Sequence, residues 1–219
     1  MPFPLILLAP PVVTIGVAVA KLLYDENEKN KKRNASKNSG KKKPAQQKTV
    51  AILGPRGSGK SSLVQLLVNG RVPDVVRPTN FLETEHSTTR LGKHEVALTI
   101  HDVSGDPSSR KQWKSAAKAA NLVVFAISAE AVLTDDGYET ARSAANFYGG
   151  LDFKRRTVLV VSHADMAEPQ TSETYEHLLN HVRVKTLFKL VGAKDLVAAN
   201  LLKHADQSRA IITIRTALK

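Results

Sequence analysis

Residues 54–61 read Gly-Pro-Arg-Gly-Ser-Gly-Lys-Ser, which matches the phosphate-binding pattern Gly-x-x-x-x-Gly-Lys-Ser/Thr at every fixed position. The apolar run Val-Ala-Ile-Leu at 50–53 precedes this stretch, and Ser-Leu-Val-Gln-Leu-Leu at 62–67 follows it, so strand, loop and helix come in the required order. Glycines let successive backbone N–H groups point at one phosphate, and the helix N-terminus adds partial positive charge. The stretch therefore predicts a nucleoside triphosphate site, and a glycine-rich turn without a ligand is the alternative.

The loop also supplies side chains for phosphate and metal. The ammonium of Lys60 is expected to reach the β- and γ-phosphates, and the hydroxyl of Ser61 to take one place on Mg²⁺. The candidate cofactor-binding residues of this segment are Gly54, Pro55, Arg56, Gly57, Ser58, Gly59, Lys60, Ser61 and Ser62.

Beyond the loop, apolar strands alternate with amphipathic helices, which is typical of a mainly parallel sheet covered on both faces. Leu91-Gly92-Lys93 resembles a hairpin turn and predicts that the second and third strands are antiparallel. The predicted fold class is an α/β P-loop NTPase with six strands, the plan of a small GTPase domain. Expected strands are 49–53, 83–90, 95–102, 122–128, 157–162 and 195–199; expected helices are 60–69, 109–119, 136–147, 172–190 and 200–218.

Two motifs fall where such a domain places its magnesium and γ-phosphate contacts. Asp102-Val103-Ser104-Gly105 ends an apolar strand and matches Asp-x-x-Gly, so Asp102 is a candidate Mg²⁺ residue and the Gly105 amide a candidate γ-phosphate donor. A surface Asp-Gly turn is the alternative. Thr79 lies 19 residues after Lys60 and is the candidate threonine for Mg²⁺ and the γ-phosphate. The candidate metal residues are Ser61, Thr79 and Asp102.

The segment Ser162-His163-Ala164-Asp165 follows an apolar strand, where GTPases carry Asn-Lys-x-Asp or Thr-Lys-x-Asp. A carboxylate at Asp165 accepts hydrogen bonds from guanine N1–H and the amino group, which adenine lacks in that arrangement. Ser162 is expected to replace Asn or Thr, and His163 to stack on the base. Ala199 matches the alanine of the Ser-Ala-Lys element that backs the base. A plain strand-end loop is the alternative.

The first 48 residues differ in composition from the rest. Residues 1–20 contain no charged side chain, and the apolar stretch through 24 is about as long as a bilayer core requires, with a kink expected at Pro10-Pro11. We predict a membrane anchor at 1–24, a basic flexible tether at 25–48 and a nucleotide-binding domain at 49–219. A cleaved signal peptide and a buried core helix are the alternatives for the anchor.

The net charge of +12 is concentrated in the tether, since residues 21–48 hold ten Lys/Arg against three Asp/Glu. Lysines directly after a span indicate the cytoplasmic side, so a single-pass protein with a cytoplasmic domain is expected, in the endoplasmic reticulum if the source is eukaryotic. A solubilising spacer and a nucleic-acid-binding or nuclear-import tract are the alternatives; we expect no nucleic acid partner. The absence of cysteine excludes disulfides and thiol-ligated metal.

Pro-Thr-Asn-Phe-Leu-Glu-Thr at 78–84, Asp-Val-Ser-Gly at 102–105 and Trp113 resemble the ADP-ribosylation factor (Arf) family. That family has Pro-Thr-Ile-Gly-Phe-Asn-Val-Glu-Thr, then Asp-Val-Gly-Gly-Gln, with a tryptophan at the same interval. A membrane span before such a domain resembles the β subunits of the signal recognition particle receptor. The resemblance implies GTP or GDP with Mg²⁺ as cofactors and a protein effector on the switch surface.

One departure from the family concerns hydrolysis. Asp106 occupies the position of the catalytic glutamine, and a carboxylate there adds negative charge beside the γ-phosphate. The candidate catalytic residues are Asp106 and Thr79, and slow GTP hydrolysis is expected. A non-hydrolysing scaffold with the same fold and a P-loop ATPase or kinase are the alternative functions.

Overall fold

The computed structural model of the chain describes residues 46–73, 82–91, 94–152, 155–166 and 175–219. Six strands in these residues form one sheet in the order β2-β3-β1-β4-β5-β6. Strand β2 is antiparallel to β3 and every other neighbouring pair is parallel, which confirms the predicted sheet. The strands are β1 Gln46–Leu53, β2 Glu83–Leu91, β3 His94–Asp102, β4 Leu122–Ser128, β5 Arg156–Ser162 and β6 Asp195–Ala198.

Helices connect the parallel strands and cover both faces of the sheet. Each of the two short 3₁₀ turns, Pro107–Ser109 and Ala164–Met166, follows the carboxyl end of a strand. The helices are α1 Lys60–Asn69, α2 Arg110–Ala119, α3 Ala129–Leu133, α4 Asp135–Gly149, α5 Glu176–Asn180, α6 Val182–Leu190 and α7 His204–Ala217.

Strand β1 lies in the middle of the sheet and is buried on both faces. Val50 and Ile52 face a core formed with α1 and α7, whereas Ala51 and Leu53 face a second core formed with α2, α4 and α6. All four side chains are fully buried. A strand between two helical layers needs apolar residues on both faces, which is why this segment is a continuous apolar run.

Two helices differ from their predicted extents because polar caps interrupt them. The predicted helix at 172–190 is divided at His181, whose ring nitrogen Nδ1 accepts from the Arg183 amide at 3.3 Å and caps α6. The predicted helix at 200–218 begins at His204, because the Asn200 side chain accepts from the Leu202 amide at 2.9 Å and holds a turn. Side chains that bond to nearby amides in this way compete with the helix.

Two smaller differences concern the ends of elements. Strand β1 begins at Gln46, three residues before its predicted start, and pairs with β3 from that residue onward. Helix α3 follows β4 directly and is capped by Ser128, whose hydroxyl accepts from the Ala131 amide at 3.1 Å. This helix was not predicted from the sequence, since five residues are too few to show a helical period.

Several predicted features lie outside the described residues. They are the anchor at 1–24, the tether through residue 45, the hairpin residues Gly92 and Lys93, and Thr79. Within the residues that the structure does describe, none of the helices combines the length and the apolar composition needed to cross a bilayer.

Candidate functional site

The phosphate-binding loop leaves β1 at the centre of the sheet, between the carboxyl ends of β3 and β4. Its first residue, Gly54, has a φ of +143°, and a Cβ added there would lie 2.1 Å from the backbone oxygen of Ala126 in β4. Only glycine fits this close approach between two backbones. Open α/β sheets bind ligands in the crevice outside the carboxyl ends of their strands, at the point where the strand order reverses.

The loop then turns into α1 through two further glycines. Gly57 and Gly59 have φ of +76° and +75°, in the left-handed region that favours glycine. Gly59 is the N-cap residue of α1 and makes no side-chain cap bond to that helix. A helix N-terminus that follows a glycine-rich loop is where the motif binds an anion.

Lys60 is held at the loop with its ammonium inside the protein. Its Nζ donates to the Pro55 carbonyl oxygen at 2.8 Å, and the Ser58 hydroxyl donates to the same oxygen at 2.8 Å. The side chain is only 7% exposed. Burial lowers the pKa of Lys60 to about 8, although the nearby carboxylate of Asp102 opposes this change. A phosphate group at the loop would supply the negative charge that the buried ammonium needs.

Asp102 ends β3 beside the loop. It lies opposite Ile52 of β1 in the parallel register and is only 3% exposed. A buried carboxylate near a lysine, a P-loop serine at Ser61 and a polyphosphate make up the hard oxygen donors that Mg²⁺ prefers. The residues at this sheet edge thus fit a nucleotide with Mg²⁺.

The Asp-x-x-Gly segment rests directly on the phosphate-binding loop at Gly105. A Cβ added at Gly105 would lie 2.4 Å from the Arg56 backbone nitrogen, 2.5 Å from the Pro55 carbonyl carbon and 2.7 Å from Lys60 Nζ. No side chain fits between these groups, so glycine is required for the two segments to meet. The Gly105 backbone is therefore next to the Lys60 ammonium.

Trp113 fixes the Asp-x-x-Gly segment through a buried hydrogen bond. This role was not predicted from the sequence. The Trp113 indole nitrogen donates to the Ser104 carbonyl oxygen at 2.8 Å. The ring is 1% exposed and makes edge contacts with Phe125 and Phe147. A buried indole usually needs an acceptor for its N–H group, so the aromatic core fixes the loop that bears Gly105.

Asp106 is exposed and its carboxylate bonds within its own loop. One oxygen accepts from the Ser108 amide at 2.8 Å and caps the 3₁₀ turn. The hydrogen bonds to Ser108, and secondarily the positive charge of Arg56, lower the pKa of Asp106. The group is therefore ionised at neutral pH and places a negative charge beside Gly105.

Ser162, which was expected to replace the Asn or Thr of the motif, is fully buried under the phosphate-binding loop. Its hydroxyl lies 3.0 Å from the Ser58 carbonyl oxygen and 3.2 Å from that of Ile127. One hydroxyl proton serves one of these acceptors at a time. The side chain thus connects the end of β5 to the phosphate-binding loop.

The residues after Ser162 alternate between exposed and buried positions, with Ala164 fully buried. His163 is exposed and has a φ of +50°, a conformation that costs a residue with a side chain about 1 kcal/mol or more and that recurs at functional sites. Asp165 lies half-buried in the 3₁₀ turn that follows. Ala164 donates to the Ala199 oxygen at 3.4 Å, so the two predicted base-binding segments lie side by side.

A buried hydrogen-bond network that was not predicted from the sequence supports the segment at Ala199. One carboxylate oxygen of Asp206 accepts from the Tyr175 hydroxyl and from the Asn200 amide, both at 2.8 Å. Burial and this neighbouring carboxylate raise the pKa of Tyr175 to about 12. An aspartate in the first turn of α7 was the available signal, since such residues bond to amides that precede a helix.

The structure thus brings three predicted segments to one edge of the sheet: the phosphate-binding loop, Asp102 with Gly105, and the strand ends near Asp165 and Ala199. The model of the ADP-ribosylation factor family matches residues 35–187 of the chain. The chain belongs to this family. The resemblance seen at 78–84 and 102–105 is thereby confirmed, and membership implies a small GTPase domain for a guanine nucleotide.

A curated relative of this Arf-family chain agrees with that assignment. ADP-ribosylation factor-like protein 8d of Arabidopsis thaliana is 26% identical over 85 residues, which cover 39% of the chain and 46% of the relative. The chain therefore spans about half the length of the curated relative that it matches.

Proposed function

We propose that the chain is a GTP-binding switch that takes GTP or GDP with Mg²⁺ and recruits a protein partner in its GTP-bound state. The observation that carries this proposal is the contact of Gly105 with the phosphate-binding loop, where an added Cβ would meet Lys60 Nζ at 2.7 Å. A terminal phosphate bound by Lys60 is then also within reach of the Gly105 amide. The presence or loss of the terminal phosphate therefore changes the contacts of the segment that begins at Gly105.

The chain's own residues divide the work of binding. The first amides of α1 and the Lys60 ammonium hold the phosphates, while Ser61, Asp102 and Thr79 are the proposed residues for Mg²⁺. When bound, Mg²⁺ neutralises charge on the β- and γ-phosphates. Ser162 keeps the base-binding segment fixed to the phosphate-binding loop through its contact with Ser58. His163 and Ala199 are proposed to contact the base.

Hydrolysis is proposed to be slow, at or below the roughly 10⁻⁴ s⁻¹ of unassisted small GTPases. Asp106 replaces the water-orienting glutamine and is bonded to the Ser108 amide. The same observation favours a second candidate function, a scaffold that binds GTP without hydrolysing it. In either case the bound nucleotide, and not turnover, sets the conformation of the switch surface.

Asp165 is the residue proposed to select guanine. Replacing it with alanine removes the acceptor for two hydrogen bonds from the base, worth about 2 kcal/mol, so GTP and GDP affinity is expected to fall about thirtyfold. ATP affinity is expected to stay unchanged. Titration of the full chain with fluorescent nucleotides measures all three constants. Asp152→Ala, at a carboxylate that is 90% exposed, is the matched control. Equal GTP affinity in Asp165→Ala and the unaltered chain would remove guanine selection from the proposal.

We further propose a membrane-bound arrangement that resembles the β subunits of the signal recognition particle receptor. The support is the uncharged stretch at 1–20 followed by the basic tether. The anchor at 1–24 crosses the membrane once, the domain is cytoplasmic, and the membrane is that of the endoplasmic reticulum in a eukaryote. The partner on the switch surface is a protein and not a nucleic acid.

The sequon Asn34-Ala35-Ser36 reports this topology. When the chain is synthesised with microsomes, we expect it to sediment with the membranes after alkaline extraction and to carry no glycan at Asn34. A glycan at Asn34 would place the tether in the lumen and overturn the cytoplasmic assignment. Release of the chain by alkaline extraction would remove the anchor.

A further inference from the structure

Arg56 is a candidate cofactor-binding residue of the phosphate-binding loop whose side chain the motif does not specify. It occupies one of the four variable positions, between Pro55 and Gly57, and is exposed, whereas Ser58 and Lys60 are buried. Pro55 uses its carbonyl oxygen to hold Lys60 and Ser58, so the loop's internal bonds are made without Arg56. Arg56 therefore adds a second, exposed positive charge to the phosphate-binding loop.

The backbone of Arg56 adjoins the segment that bears Asp106. The Arg56 nitrogen is the nearest atom to a Cβ added at Gly105, at 2.4 Å, and Asp106 is the next residue. Asp106 is fixed by its bond to the Ser108 amide and cannot turn far from this contact. Two exposed residues of opposite charge thus flank the point where Gly105 meets the loop, and the charge of Arg56 contributes to the lowered pKa of Asp106.

The position of Arg56 matters because the Asp106 carboxylate lies next to the expected position of the terminal phosphate. A triphosphate adds negative charge at the end nearest Gly105, whereas a diphosphate does not reach as far. Asp106 repels that added charge. The planar fork of an arginine bonds to carboxylate and phosphate oxygens alike.

We propose that Arg56 is a specificity-determining residue for the nucleoside triphosphate over the diphosphate, because its guanidinium offsets the repulsion between Asp106 and the terminal phosphate. The inference rests on the proposed function and extends it to a residue that the motif leaves open. It requires that Arg56 and Asp106 act as a pair.

Arg110 provides a matched control for a nearby arginine. It begins α2, four residues after Asp106, but its guanidinium donates to the Ser143 hydroxyl at 2.8 Å and lies 5.3 Å from the centre of the Phe147 ring. The Arg110 guanidinium therefore contacts α4. Loss of this side chain removes one positive charge close to the same loop without removing the proposed partner of Asp106.

The test is a double-mutant cycle on the full chain, with GTP and GDP dissociation constants measured in Mg²⁺ by displacement of a fluorescent nucleotide. Arg56→Ala is expected to weaken GTP binding about tenfold and GDP binding less than about threefold. Asp106→Asn is expected to strengthen GTP binding, and Arg56→Ala is expected to weaken GTP binding by less than about threefold when it is made in the Asp106→Asn background. Arg110→Ala is expected to change neither constant.

The possible outcomes separate the inference from the proposed function. If the unaltered chain binds GTP but Arg56→Ala weakens GTP and GDP equally, or if the two substitutions act additively, the inference is wrong and the proposed function stands. If the unaltered chain binds neither guanine nucleotide, both fall. Arg56→Lys keeps the charge but not the planar fork. If it retains at least half of the GTP affinity lost in Arg56→Ala, measured on a logarithmic scale, the role of Arg56 is mainly electrostatic. Unchanged melting curves establish that each variant is folded.

Discussion

Replacement of Lys60 by alanine is expected to lower the affinity for GTP at least about a hundredfold. The loss combines a charge-assisted hydrogen bond and the attraction of an ammonium for a polyphosphate, together worth about 3 kcal/mol or more. Isothermal calorimetry on the full chain with Mg²⁺ measures the change. Lys114→Ala is the matched control, since that lysine is on α2, 55% exposed and 3.7 Å from Asp152. Full GTP affinity in Lys60→Ala would contradict the site.

The same variant is expected to be no less stable than the unaltered chain when no nucleotide is present. The ammonium is buried, and burial disfavours its charged form. The Pro55 oxygen that Lys60 contacts still accepts from the Ser58 hydroxyl at 2.8 Å after the substitution. We therefore expect an equal or higher Tm for Lys60→Ala, and a Tm several degrees lower would show that the lysine has a structural role instead.

The lowered pKa of Lys60 gives this prediction a pH signature. A bound phosphate favours the charged ammonium, so binding raises its pKa from about 8 and takes up a proton when the pH is above that value. GTP affinity is thus expected to fall as the pH rises through 8. Without nucleotide, the unfolded chain binds more protons than the folded chain between about 8 and 10.5, so stability rises with pH there.

Proton uptake is measured by calorimetry at pH 8.5 or so in two buffers of different ionisation enthalpy. The observed heats are expected to differ for the unaltered chain and to agree for Lys60→Ala. Equal heats for the unaltered chain would mean that Lys60 does not change its protonation when the phosphates bind.

Much of the fold could be predicted because its signals are local. Strand β1 is apolar at every position from Val50 to Leu53, and the glycines that follow fall at the fixed spacing of the motif. A buried parallel strand and a loop of left-handed glycines need these residue types wherever they occur. The order of the elements then determined the sheet.

The remaining differences depend on contacts between distant residues or on short-range caps. Ser162 contacts the carbonyl of Ser58, 104 residues away, and Asp206 bonds to Tyr175, 31 residues away. No spacing in the sequence indicates such pairs. The break at His181 depends on a single capping bond that an apolar period does not show.

The cap made by Asp106 is a case where the sequence did hold the signal. Asp-Pro-Ser at 106–108 is an N-cap residue followed by proline at the first position of the turn. A capping role is therefore sufficient to explain an aspartate at position 106, without a role in catalysis. Its effect on a terminal phosphate could be argued only after the structure placed it beside Gly105 and Arg56.

Preference for guanine over adenine nucleotides is the second large effect that we expect, and it carries the central claim. Guanine presents the N1–H and amino donors that a carboxylate at Asp165 accepts. Adenine presents the N1 acceptor there, which leaves the carboxylate without its donors. Sites built around such bonds reject the wrong partner strongly, by about a hundredfold or more.

Titration of the full chain with GTP, GDP and ATP in the presence of Mg²⁺ tests this claim most directly. We expect GTP and GDP to bind at least about a hundredfold more tightly than ATP. Binding of ATP as tightly as GTP, or the absence of binding by all three, would contradict the account.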